Sequence, residues 1–68
     1  MKSYYVQFIN TKEREFEMYQ EGKVASSYEQ LIKNTLAQAE FLKANVFDVD
    51  TVKILSALDG KIIETFKL

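Results

Sequence analysis

The chain has 68 residues, 47% of them hydrophobic, with nine Lys plus Arg against ten Asp plus Glu. So much apolar content excludes a disordered chain. The near-balance of charge supplies neither the basic footprint usual in nucleic-acid binders nor the strong acidity of a DNA mimic. There is no Cys and no His, which excludes disulfides and thiolate metal sites and removes the commonest transition-metal ligand.

This length is that of one domain, so residues 1–68 read as a single small α+β unit. A chain so short buries only about 60% of its unfolded surface, and one such core rarely supplies more than ~3–5 kcal/mol. Without disulfide or metal, the supplement is close packing or association with another chain. No stretch approaches the ~20 apolar residues of a membrane span, and the apolar patch at the N-terminus is too short and polar for a signal peptide. The expectation is a cytoplasmic protein with no membrane contact. Its brevity and lack of linkers are in character with small bacterial and phage proteins, although no motif carries a family resemblance.

In chain order, Ser3 to Ile9 reads as a strand, with Tyr4, Val6 and Phe8 on one face and Tyr5, Gln7 and Ile9 on the other. A polar turn over Asn10 to Glu13 leads to a second strand, Arg14 to Gln20. Alternation there puts Phe16 and Met18 on one face and Glu15, Glu17 and Tyr19 on the other. The two strands make an antiparallel hairpin that Glu21-Gly22-Lys23 ends.

A helix follows, opened by Ser26 with Glu29 or Ser27 with Gln30, either of which is a capping box. It runs to about Ala44, with Lys43 near its end complementing the dipole and Asn45 as C-terminal cap. Tyr28, Leu31, Ile32, Thr35, Leu36, Ala39 and Leu42 form one stripe. Phe41 falls nearly opposite that stripe. Either the helix bends to fold Phe41 under the following loop with Phe47, or Phe41 and Ala37 make an i,i+4 patch able to dock on another chain.

Val46 to Asp50 links the helix to a closing hairpin, in which Asp59-Gly60 separates two β-rich runs. Two registers are open. A two-residue turn pairs Leu58 with Lys61 and gathers Lys53, Leu55, Ile62, Glu64 and Phe66 on one face. A three-residue loop with Gly60 as bulge pairs Ala57 with Lys61 and gathers Val52, Ile54, Ile62, Glu64 and Phe66. We favour the first. In both, apolar side chains are left over on the other face. The order β-β-α-β-β implies an α+β fold, a four-stranded, largely antiparallel sheet with the helix packed on one face.

Without His or Cys, an active site would need a carboxylate, Lys or Tyr as base. Asp48 and Asp50 are the one closely spaced acidic pair in a predicted loop. They lack the glycine and later glutamate of a calcium loop, and solvation of a connecting loop accounts for them. Gly22-Lys23 has none of the other residues of a phosphate-binding loop. We therefore expect no enzyme, no cofactor and no metal. The expected function is a protein–protein interaction module, self-associating through a sheet face or edge as a homodimer, or binding a larger protein. Tyr5, Ile9, Tyr19, Phe41, Leu55 and Ile63 are its candidate interface. The alternative is a weak nucleic-acid-binding domain in which Tyr5 and Tyr19 stack bases on an open sheet face. Glu15 and Glu17, placed on that same face by alternation, count against it.

Overall fold

The computed structural model describes residues 1–12 and 17–68. Four strands and one helix follow in the order β1 (Lys2–Asn10), β2 (Glu17–Ala25), α1 (Tyr28–Asn45), β3 (Thr51–Ser56) and β4 (Ile62–Lys67). All pairings are antiparallel and the spatial order is β2-β1-β3-β4. The α+β fold read from the sequence is the fold observed. Both central strands carry the apolar alternation expected of them, and β2 and β4 are the edges.

The core lies between the helix and one face of the sheet. Tyr4, Val6 and Phe8 of β1 and Val52 and Ile54 of β3 point into it, meeting Leu31 and Ala39 of α1 and Val49 of the α1–β3 connection. Val6, Phe8, Val49, Val52 and Ile54 are fully buried. At roughly 1.5–3 kcal/mol for each such side chain, this cluster supplies most of the fold's drive. Beside it, Thr35 is buried on the same helix stripe, and its hydroxyl has no hydrogen-bond partner.

The helix begins where the serine pair places it. Ser27 is the N-cap, with extended backbone, and its hydroxyl accepts from Gln30 N at 3.3 Å. The reciprocal half of the capping box is absent, because the Gln30 amide donates instead to Asn34. Asn45 stays helical and donates from its side chain to the Phe41 carbonyl, leaving Val46 as the C-cap. The stripe from Tyr28 to Leu42 faces the sheet as read.

Three expectations need correcting. β2 does not end at Glu21-Gly22-Lys23 but runs through them to Ala25, in unbroken register with β1 from Asn10↔Glu17 to Lys2↔Ala25. Gly22 is therefore a strand residue, lying opposite Tyr5, whose ring comes within 3.8 Å of the place a Cβ would occupy. An aromatic neighbour covering a strand glycine compensates for the missing side chain.

The faces of β2 are also the reverse of those expected. Tyr19 lies opposite Phe8 on the helix side, and Met18 lies opposite Ile9 on the other. Alternation gives two sets of residues but does not say which set is inward, and the pairing with β1 decides it. Glu17 goes with Tyr19 to the helix side; Arg14, Glu15 and Phe16 lie outside the described residues.

The closing hairpin adopts neither proposed register. Ser56 N donates to Lys61 O at 2.9 Å and Gly60 N to Ser56 O at 2.8 Å, so four residues, Ala57 to Gly60, make the loop. Gly60 has φ 72°, which glycine adopts without strain. The Ser56 hydroxyl and the Asp59 carboxylate accept from Leu58 N and Lys61 N, so side chains stabilise the wider loop. Val52 and Ile54 go inward opposite Phe66 and Glu64, and a one-residue register shift then sets Leu55 opposite Ile62. That bulge makes Ile63 the extra residue of β4 and accounts for the adjacent Ile62 and Ile63, whereas Ile54 and Leu55 lie on opposite faces.

Candidate functional site

The pairings arrange the face away from the helix in rows that cross the sheet. Gly22, Tyr5, Leu55 and Ile62 stand in direct register over all four strands. Tyr5 is 40% and Ile62 54% exposed, so this is an apolar row open to solvent. The next row, Gln20, Gln7, Lys53 and Thr65, is polar, and the Gln7 amide donates to the Gln20 carbonyl at 2.8 Å. Among the described strand residues on this face, the charged ones are Lys53 and Lys67, both cationic.

The six sequence-read candidates do not form one surface. Tyr5 and Leu55 lie side by side on the open face. Ile9 shares that face but is only 2% exposed; it is buried within the chain and offers a partner no area. Tyr19 lies on the helix side, its ring 6.1 Å from that of Phe8 and nearly parallel, with its hydroxyl donating to Glu21. Phe41 is 62% exposed, so the helix does not fold it under the following loop. It borders a groove of about 590 Å³ with Tyr19, Leu42, Val46 and Phe47. Ile63 sits at the bulge and lines a separate open cleft of about 970 Å³ with Tyr4, Tyr5 and Tyr28.

Sequence reading missed Ile62, Met18 and Val24, which are exposed. Ile62 was hidden by the bulge, and the other two by the reversed faces of β2 and its premature end.

Two edge carboxylates in one row hold the helix. Glu21 on β2 and Glu64 on β4 stand in line with Val6 and Ile54. Glu21 accepts from Gln38 and Tyr19 and pairs with Lys23; the Lys23 ammonium, with those donors, holds its carboxyl below the usual range. Glu64 accepts from the Tyr28 hydroxyl at 2.6 Å. Burial, then that carboxylate, pushes the Tyr28 phenol up to about 12.

Asp50 is a structural tie. Its carboxylate accepts from Thr11 N and Oγ1 and from Thr51 Oγ1 at 2.8–3.1 Å. Partial desolvation opposes ionisation there, but the Thr51 and Thr11 donors outweigh it and the carboxyl lies below its ordinary value. Asp48 is exposed, and among the described residues no group of acidic side chains is placed to hold a metal ion. No described helix is long and apolar enough to cross a membrane.

No family model, curated protein or solved structure matches the chain.

Proposed function

We propose that the chain is a non-enzymatic protein–protein interaction module that self-associates through its sheet and works in a reducing compartment such as the cytoplasm. One observation carries the reading. The exposed apolar side chains Tyr5, Met18, Val24 and Ile62 gather on the open face and on edge strand β2, where the single helix does not reach. A core this small gains from association with a second chain, and exposed Met18 and Val24 put apolar surface on the edge strand itself. Sedimentation velocity from low micromolar to submillimolar concentration tests it. A dimer is expected, and a monomer at every concentration overturns self-association.

A second reading has its own support. With Glu17 on the helix side, the open face carries Tyr5 for stacking, Gln7 and Gln20 as amides, and Lys53 and Lys67 as its charges. Tyr19 is lost to that reading, but an objection drawn from Glu17 is lost as well. It expects salt-dependent binding of a single-stranded oligonucleotide, weakened by Lys53→Gln and Lys67→Gln. No saturable binding at low salt overturns it.

A further inference from the structure

The geometry points to the outer edge of β2 as the self-association site, with a second copy of this chain pairing there antiparallel about a two-fold axis at Gly22. This rests on the self-association reading above and names its surface and register.

Three observations select that edge over the open face. First, β2 is nine residues long, pairs with β1 without a register shift and contains no proline. Its one lysine, Lys23, is balanced two residues away by Glu21, and it has none of the shortness, bulge or proline that usually blunts an edge. The other edge, β4, has six residues, carries the bulge, and has Lys61 just before it and Lys67 as its last residue. Second, the open face is a poor partner for itself, since its described charges are both positive and a polar row borders its apolar one. Third, the charges of β2 are self-complementary when the strand is reversed.

Side-chain alternation requires that cross-strand partners share a face, so the two-fold must pass through a residue position. Centring it at Glu21 opposes two like carboxylates. Centring it at Gly22 sets Glu21 opposite Lys23 of the second copy, and Lys23 opposite Glu21 of the second copy, on the helix side. On the open side, Gln20 meets Val24 of the second copy. Gly22 meets its own equivalent, and the rows Gly22–Tyr5–Leu55–Ile62 join into one apolar stripe across an eight-stranded sheet, four strands from each copy. Both helices then lie on the same side. Gly22 suits the axis because a side chain there meets nothing closer than the Tyr5 ring at 3.8 Å.

Single-cysteine variants test the register, since the chain has no native cysteine. Directly opposed strand residues are within disulfide reach. Gly22→Cys is therefore expected to cross-link to itself under mild oxidation, while Gln20→Cys and Val24→Cys cross-link to each other when mixed and not to themselves. A charge swap tests the edge without oxidation. Glu21→Lys and Lys23→Glu each weaken the dimer by about tenfold or more, and the double exchange Glu21→Lys with Lys23→Glu restores it to within about threefold. Circular dichroism of each variant separates loss of pairing from loss of fold. Self-cross-linking at Gln20 in place of Gly22 overturns this register. A dimer that ignores both the cysteines and the charge exchange overturns the β2 edge but leaves self-association standing. A wild-type monomer overturns both.

Discussion

The two edges of this sheet belong to the same small domain and are built on opposite principles. β2 is long and regular, with mixed charges and exposed Met18 and Val24. β4 is short and interrupted at Ile63, opposite the Ile54–Leu55 step of β3, with Lys61 just before it and Lys67 as its last residue. A protein that protected both edges would stay a monomer, and one that protected neither would polymerise. In the proposed β2-edge dimer, guarding β4 alone leaves one open edge, which a two-fold contact closes.

The largest expected effect comes from removing that difference. Deleting Ile63 restores continuous alternation in β4, and replacing Lys61 and Lys67 with Thr removes its guards. The edited chain should associate beyond a dimer, because each copy then offers two open edges. Light scattering is the readout, and a species that stays dimeric would show that the bulge and lysines do not protect β4.

The glycines of the two hairpins sharpen the contrast on a smaller scale. Gly60 has φ 72° in open space, so Gly60→Ala forces a side chain into the left-handed region at a cost of about 1 kcal/mol. Gly22 has no such backbone, and a Cβ there finds ordinary contact with Tyr5. Gly22→Ala is expected to stabilise by roughly 0.5 kcal/mol through the unfolded chain. Urea melts at one protein concentration should move in opposite directions. Thr35→Val is comparable in size to Gly60→Ala and opposite in sign, expected to stabilise by about 1 kcal/mol by removing a buried hydroxyl without a partner.

These residues also show how far sequence reading reached. The element order, the helix stripe and the inward faces of β1 were legible because local periodicity determines them, and a serine cap was legible from the Ser26-Ser27 pair, with the choice of Ser27 made by the structure. Which face of β2 turns inward was not, since Met18 and Tyr19 alternate equally well either way and only pairing with β1 chooses. Ile62 was lost to a bulge that no single-strand pattern reveals, and Asp59-Gly60 suggested a tighter turn than the one Ser56 and Asp59 cap. Tyr5 and Leu55 do lie away from the helix, but their standing side by side across β1 and β3 depends on the strand order, which no local pattern gives; Ile9 shares that face and is buried, since alternation gives a face and not its exposure.

The smallest difference between the edges is one of pH. The Glu21 carboxyl is depressed in the folded protein, chiefly by Lys23. Its contribution is complete above the ordinary carboxylate range and is lost as pH falls through the lowered value. The Tyr28 phenol is raised to about 12 by burial and by Glu64. Its contribution is complete below its ordinary value near 10 and is lost as pH rises from there through about 12. Acid therefore loosens the helix from β2, and alkali loosens it from β4. Tyr28→Phe should flatten the alkaline limb of the melting-temperature profile and leave the acid limb unchanged. Glu21→Gln should flatten the acid limb, with a smaller change because Asp50 keeps its own acid dependence at the far end of the sheet, and should also soften the alkaline limb slightly, because the Glu21 carboxylate is what raises the Tyr19 phenol. Equal effects of Tyr28→Phe on both limbs would mean that the two carboxylates are not separate ties but one coupled support for the helix.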